Sequence, residues 1–149
     1  MTLEAIRQLT TGALARDDWA DPVFVRGYRH FEQMSECFGV FPATLNSAMR
    51  LANGVCDTPA MMALQMTDKP IGIASAFPGS NLLIEEKLSG LRKRGNIVFA
   101  DTGPAMRTSS GRYEARTGFN LPALFAAINA ANELSAFPGS DGEESHVDR

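Results

Sequence analysis

The sequence lacks several features that would have named a class of protein at once. No apolar run approaches the roughly 20 residues that a membrane-spanning helix needs. Only two cysteines occur, Cys37 and Cys56, without a C-x-x-C pair, and the two histidines, His30 and His146, are far apart in sequence. These absences argue against a membrane protein and a structural zinc site. We expect a cytoplasmic protein whose two thiols are small buried hydrophobes.

Signatures of catalysis are also missing. No segment has the glycine spacing of a dinucleotide-binding or phosphate-binding loop, and no nucleophile has an evident base beside it in the sequence. The sequence therefore predicts no catalytic residue, no cofactor and no metal ligand. On this basis the chain is expected not to be an enzyme, and its 149 residues suit one domain with a single core.

The net charge of −3 is unevenly distributed along the chain. Residues 69–116 hold eight basic and four acidic side chains, whereas residues 133–149 hold five acidic side chains and one arginine. The middle is basic and the end is acidic. We expect residues 138–149 to form a disordered acidic tail.

Helix signals dominate the first 66 residues. Apolar spacing predicts helices over 3–16 and 22–38, the second with an aromatic buried face. Pro42 opens a third predicted helix that ends at Asn53 and Gly54, and the sequence Asp-Thr-Pro at 57–59 announces a fourth. Residues 1–57 are therefore predicted to be an N-terminal helical segment.

The second half mixes helix and strand signals. A helix is predicted from Ser80 or Asn81 to Arg94, because Ile84, Leu88 and Leu91 recur at helical spacing. Strands are predicted at 96–101 and 112–117 around a tip rich in Gly, Pro, Ser and Thr, followed by a helix over 121–134. The apolar run 71–77 suits either a short buried helix or a short buried strand.

This order of elements, with a helix that closes in Leu-Arg-Lys-Arg-Gly before a basic hairpin, resembles winged helix-turn-helix regulators of the MarR-like group. The resemblance implies a mainly α fold with a small β-hairpin and flanking dimerisation helices, with residues 1–57 as the N-terminal helical dimerisation segment. Residues 58–118 would form the winged helix-turn-helix, with 71–77 as its second helix, 80–94 as its recognition helix, and 96–101 and 112–117 as wing strands. Residues 119–137 would hold the C-terminal helix.

The function implied by the resemblance is that of a homodimeric, sequence-specific transcriptional regulator that binds double-stranded DNA and answers to a small-molecule effector. The recognition helix would enter the major groove, and the basic wing would contact the minor groove or the phosphates. Glu85 and Glu86 count against this placement, because carboxylates repel phosphate. The predicted DNA contacts are Ser80, Asn81, Lys87, Arg92, Lys93, Arg94, Arg107 and Arg112.

Other interpretations stay open at this point. Residues 31–51 could hold the DNA-reading helices instead, with Thr44, Asn46, Ser47 and Arg50 as readers. A different class is a small α/β ligand-binding protein or enzyme, in which 71–76 and 96–101 are strands, the turn 78–81 binds an anion and Asp101 is a polar or metal-binding end group. A helical interaction protein is a third class. The conformation of residues 71–77 distinguishes the winged-helix regulator from the α/β protein: a helix there favours the regulator, and a strand favours the α/β protein.

Overall fold

The computed structural model describes residues 7–8, 14–21, 35–77, 79–107 and 111–136. Its strands are β1 (Phe38–Ala43), β2 (Ile71–Ser75), β3 (Ile97–Phe99), β4 (Gly103–Arg107) and β5 (Arg112–Gly118). Its helices are α1 (Leu45–Ala52), α2 (Pro59–Met66), α3 (Leu82–Arg92) and α4 (Leu121–Ala136).

The centre of the fold is a parallel sheet in the order β1-β2-β3. Phe38 lies beside Ile71, and Ile71 lies beside Ile97. The segment interpreted as the second helix of a helix-turn-helix is therefore the middle strand of this sheet. Strands covered on both faces are expected to be almost continuously apolar, which is the pattern of residues 71–74. The predicted mainly α, winged helix-turn-helix fold is wrong.

Helices cover both faces of the sheet. Ile71 and Ile73 point to one face, where they pack with side chains of α1, α2 and α3, including Leu51, Leu64 and Leu88. Residues 72 and 74 point to the other face, because successive side chains of a strand alternate. There Ala74 and Ala100 pack against Leu124 and Ile128 of α4. The result is a three-layer α/β/α arrangement with the sheet in the middle.

The helix ends follow their capping residues. Thr44 accepts the backbone N–H of Ser47 at the start of α1 (3.1 Å), Thr58 accepts that of Met61 before α2 (3.3 Å), and Asn81 accepts that of Ile84 before α3 (2.9 Å). Two predictions are confirmed here: a helix after the Asp-Thr-Pro sequence and a helix that begins next to Asn81. The helix predicted from Pro42 ends at Asn53 as expected, but its predicted start is wrong, because Pro42 lies in β1 and the helix begins at Leu45.

The predicted hairpin exists, but its strands are paired differently. β5 agrees with the predicted strand 112–117, and its antiparallel partner is β4. The other predicted wing strand, 96–101, contains β3, which belongs to the parallel sheet. The basic hairpin of β4 and β5 therefore follows the last strand of the parallel sheet. It is not the wing of a winged helix, because β3 lies between it and the helix predicted to read DNA.

Much of the predicted N-terminal helical segment lies outside the described residues, as does the predicted acidic tail. Within the described part, Leu14–Arg16 are not helical and Phe38 begins a strand. Cys37 and Cys56 are exposed, so the prediction of two buried thiols is wrong. No helix among the described residues is long and apolar enough to cross a membrane.

The segment 14–21 and the end of α1 both contact the start of α2. Asp17 accepts the backbone N–H of Ala60 (2.8 Å), and the Trp19 indole donates to the carbonyl of Asp57 (3.3 Å). Arg50 of α1 forms an ion pair with Asp57, and this guanidinium holds the pKa of the Asp57 carboxyl below its usual value. Arg50 therefore joins two helices and is not a DNA reader.

Candidate functional site at the carboxyl edge of the sheet

The carboxyl ends of β1, β2 and β3 meet at one edge of the sheet, because the three strands are parallel. The chain leaves this edge through Thr44 into α1, through residues 76–81 into α3, and through Asp101 and Thr102 into the hairpin. Ligands of open α/β sheets bind in the crevice outside these strand ends.

The start of α1 is well suited to an anion. Its first backbone N–H groups have no acceptor within the helix, and the helix dipole places partial positive charge there. No acidic residue lies in its first turn. The hydroxyl groups of Thr44 and Ser47 lie 3.0 Å apart, and Asn46 is exposed beside them. This end of α1 therefore presents hydrogen-bond donors without a carboxylate in its own first turn.

The start of α3 differs in charge. Asn81 uses its side-chain oxygen to cap the helix, which leaves its amide nitrogen as a donor. The Ser80 hydroxyl donates to the carboxylate of Glu85 in the first helical turn. Because Glu85 brings negative charge to this helix start, an anion is less favoured here than at α1. The turn 79–81 instead offers neutral polar groups.

Two hollows adjoin the edge. A mostly apolar cavity of about 360 Å³ lies along β1, bounded by Phe38, Phe41, Met61 and Leu64, and reaches Ser47 at the start of α1. Asp17 and Ser35 also border it, and the Asp17 carboxylate accepts the backbone N–H of Ala60. A more polar groove of about 660 Å³ lies outside β3, where Asp101 and Ser75 border it. Ser47 therefore links the donor-rich helix start to an apolar space.

No protein-family model matches the chain. Over 130 residues the chain is 44% identical to cypemycin cysteine dehydrogenase (decarboxylating) from Streptomyces sp, and the match covers 87% of this chain and 68% of that protein. The crystal structure of the cypemycin decarboxylase CypD matches at a TM-score of 0.71 with 40% identity, covering 91% of this chain and 70% of that one. The chain belongs to the cypemycin cysteine decarboxylase family.

A more distant structure shares the fold. The cysteine decarboxylase TvaF from thioviridamide biosynthesis, which is described as FMN-dependent, matches at a TM-score of 0.64 with 20% identity, covering 89% of this chain and 72% of that one. At this identity the likeness shows the fold alone. It supports a parallel sheet with flanking helices as the architecture of the cypemycin decarboxylase family.

Membership in the cypemycin decarboxylase family overturns the predicted function. The interpretation as a DNA-binding transcriptional regulator is wrong, as is the prediction that the chain is not an enzyme, because its relatives are decarboxylating enzymes. The predicted partners, which were double-stranded DNA, a second copy of the chain and a small-molecule effector, belonged to that interpretation and are wrong as well. The small α/β enzyme, kept as an alternative, agrees better with the fold and with the family.

Several of the predicted DNA contacts have structural partners within this chain. Asn81 caps α3, Ser80 binds Glu85, and the Arg92 guanidinium lies 4.8 Å from the centre of the Phe99 ring. Lys87 is half-buried, and Lys93 is exposed at the far end of α3 from the capping residue. Arg107 and Arg112 lie on the hairpin strands β4 and β5. The structure does not bring these residues together on one surface of α3.

Arg94 belongs to the basic run 92–94, which the sequence-based interpretation assigned to DNA contacts, but its side chain has a structural role. Its guanidinium donates to the side-chain oxygen of Gln65 and to the carbonyl of Leu64, both at 3.2 Å. The neighbouring Asn96 donates to the carbonyls of Thr67 and Lys69, both at 3.0 Å. These bonds fasten the end of α2 to the start of β3. The run Arg92-Lys93-Arg94 therefore contains a structural arginine and not a row of phosphate contacts.

We expect Arg94→Ala to lower the free energy of unfolding by about 1–2 kcal/mol, because two hydrogen bonds are lost and their acceptors are left half-buried. Lys93→Ala removes the same charge from an exposed position and should change stability by less than about 0.5 kcal/mol. Urea denaturation of the two variants measures the difference. Equal losses would mean that the charge of the run, and not the bonds of Arg94, stabilises the fold.

The residues of the alternative DNA-reading segment lie at the carboxyl edge of the sheet. Thr44, Asn46 and Ser47 were candidate DNA readers of the segment 31–51, and they form the start of α1 at the strand edge. A capping threonine followed by an acid-free first turn is visible in the sequence. Its link to a strand end is not, because the sequence predicts a helix where β1 begins.

Proposed function

We propose that the chain oxidises and decarboxylates a cysteine at the C-terminus of a peptide, with FMN as its cofactor. The observation that carries this proposal is the acid-free first turn of α1, joined through Ser47 to a largely apolar cavity that runs along β1 to the carboxyl edge of the sheet. An anionic group and a flat aromatic ring need these two environments side by side. The family relationship supports the same conclusion, because the Streptomyces relative is named a decarboxylating cysteine dehydrogenase.

The reaction limits the substrate. Loss of CO2 requires a free α-carboxylate, which a cysteine within a peptide has only at the C-terminus. The bond from the α-carbon to the carboxyl carbon breaks, and dehydrogenation removes two electrons and two protons. The peptide then ends in an ethenethiol. The balance needs a two-electron acceptor, and FMN supplies that acceptor when it is bound.

The residues at the edge fit FMN in their chemistry. We assign the phosphate to the start of α1, where the backbone N–H groups, the hydroxyl groups of Thr44 and Ser47, and the Asn46 amide are donors. The apolar cavity bounded by Phe38, Met61 and Leu64 suits the ring. The turn 78–81 stays a second candidate for an anion, although Pro78 lies outside the described residues and Glu85 disfavours negative charge there.

The substrate would bind at the start of α3. The Asn81 amide nitrogen is a neutral donor at the strand edge, and we assign it to a backbone carbonyl near the end of the peptide. The hydrogen bond between Ser80 and Glu85 fixes the turn that carries Asn81. Together, Ser80, Asn81 and Glu85 would orient the terminal cysteine of the peptide.

The cytoplasmic location expected from the sequence stays a prediction.

A mass measurement tests the proposed function. A synthetic peptide that ends in cysteine is incubated with the purified chain and FMN, and we expect a product lighter by the mass of CO2 and two hydrogen atoms. The same peptide with a C-terminal amide cannot lose CO2 and should stay unchanged. A peptide acid that keeps its mass, although the chain holds FMN, would contradict the proposal.

A further inference from the structure

One wall of the cavity along β1 carries a carboxylate. The cavity is lined mainly by apolar residues, and its polar side chains are those of Asp17, Ser35 and Ser47. Among the described residues that line it, only Asp17 is charged. A ligand that fills the cavity displaces water from this carboxylate, so the ligand must bring a hydrogen-bond donor to replace that water.

The Asp17 side chain is held in place against the start of α2. Its Oδ1 accepts the backbone N–H of Ala60 (2.8 Å). The same segment is fastened again two residues later, where the Trp19 indole donates to the carbonyl of Asp57 (3.3 Å). The second oxygen of Asp17 receives no hydrogen bond from any residue that the structure describes, so it is available to a ligand in the cavity.

Capping of α2 accounts for one oxygen of Asp17 only. Thr58 already accepts the N–H of Met61, and Pro59 has no N–H, so the bond from Ala60 to Asp17 completes the cap. Asparagine would serve this purpose as well as aspartate, because its side-chain oxygen accepts the same bond. The charge of Asp17 therefore has a role only if something in the cavity meets it.

Charge decides which end of FMN can approach Asp17. A carboxylate repels the phosphate, in agreement with the assignment of the phosphate to the start of α1. The oxidised flavin ring is uncharged, and it has one N–H group, the imide between two carbonyls at its pyrimidine end. That N–H is the donor that the second oxygen of Asp17 lacks.

We propose that Asp17 accepts a hydrogen bond from the imide N–H of the flavin ring and lowers the reduction potential of bound FMN. This inference rests on the proposed function, which places the ring in this cavity. Two-electron reduction at neutral pH adds negative charge to the pyrimidine end of the ring, and a carboxylate beside it opposes that charge. Asp17 thereby favours oxidised FMN over reduced FMN.

The test is Asp17→Asn, studied as the full chain with FMN and without peptide. Asparagine keeps the shape of the side chain and the bond from Ala60, so the variant should fold. We expect the midpoint potential of bound FMN to rise by about 30 mV, which is about a tenfold change in the ratio of the affinities for reduced and oxidised FMN. The wild type should also bind FMN more tightly than FMN methylated at the imide nitrogen, and this preference should fall several-fold in the variant.

Asp18→Asn is the matched control. Asp18 is the adjacent exposed carboxylate, it accepts the backbone N–H of Ala20 (3.0 Å), and it does not line the cavity. Its variant should keep the wild-type potential. An unchanged potential in Asp17→Asn, or equal shifts in the two variants, overturns the inference.

Failure of the proposed function gives a different result. The potentials are measured by titration of the flavin absorbance, which needs no turnover. A chain that shows the expected shift but releases no CO2 from a peptide contradicts the proposed function and supports this inference. A chain that binds no FMN contradicts both.

Discussion

Asn46→Asp is expected to lower the affinity for FMN by about a hundredfold. Asparagine and aspartate have the same shape, so the change adds one negative charge at the start of α1 and little else. Two like unit charges about 4 Å apart near a protein surface repel by roughly 4 kcal/mol, and a hundredfold loss corresponds to about 2.7 kcal/mol. The helix itself should not suffer, because a carboxylate near a helix N-terminus is favourable.

Riboflavin separates this effect from general damage. It carries the flavin ring without the phosphate, so its affinity should be the same for the wild-type chain and for Asn46→Asp. The control variant Asn129→Asp makes the same chemical change at an exposed position of α4 and should bind FMN normally. Calorimetric titration with both flavins gives the affinities. Equal weakening of FMN and riboflavin would place the phosphate elsewhere.

Gly72→Ala is expected to lower the free energy of unfolding by about 1–3 kcal/mol, the usual range for overpacking. A Cβ atom at Gly72 would lie 2.5 Å from Cγ1 of Ile128 and 2.6 Å from Cδ1 of Leu124. Both distances are far below van der Waals contact, and Leu124 and Ile128 are the buried side chains that hold α4 on the sheet. The extra methyl group must therefore push α4 outward.

Gly39→Ala is the matched control in the neighbouring strand. Its Cβ would lie 3.4 Å from Leu124 and 3.6 Å from Ile128, which is ordinary contact. We expect no loss of stability there, or a small gain, because alanine restricts the unfolded chain. In an Ile128→Ala background, Gly72→Ala should cost less than in the wild type. The denaturant midpoints of Gly72→Ala, Gly39→Ala, Ile128→Ala and the double variant measure these changes in stability. Equal losses of stability at Gly39 and Gly72 would contradict the packing argument.

Local signals in the sequence predicted the helix ends well. Asn81 with Ile84, Leu88 and Leu91 set the start and the buried face of α3, and the Asp-Thr-Pro sequence set the start of α2. These signals work because a cap and its helix lie within a few residues of each other. The final helix was also predicted from its own residues.

The parallel sheet was not predictable from the same signals. The run 71–77 is too short for periodicity to separate a buried strand from a buried helix. A glycine such as Gly72 weakens a helix, but only the distant α4 explains why a glycine is required at this position. β1 was missed because its first residue, Phe38, was assigned to the end of an aromatic helix.

The candidate site could not be predicted without the parallel sheet, because its residues are brought together by the strand ends. Thr44 and Ser47 are ordinary capping residues until β1 and the apolar cavity place them at a strand edge. The basic run around Arg94 was the stronger signal in the sequence. Its hydrogen bonds to α2 come from a contact 29 residues away in the chain, which local reasoning does not reveal.

The central claim is that this chain couples loss of CO2 from a peptide cysteine to reduction of FMN. Both can be followed in one sample without oxygen, by the absorbance of the flavin and by the CO2 released after the peptide is added. We expect one molecule of CO2 for each FMN reduced. Release of CO2 while the flavin stays oxidised, or no change in either signal with FMN and peptide both bound, would contradict the account.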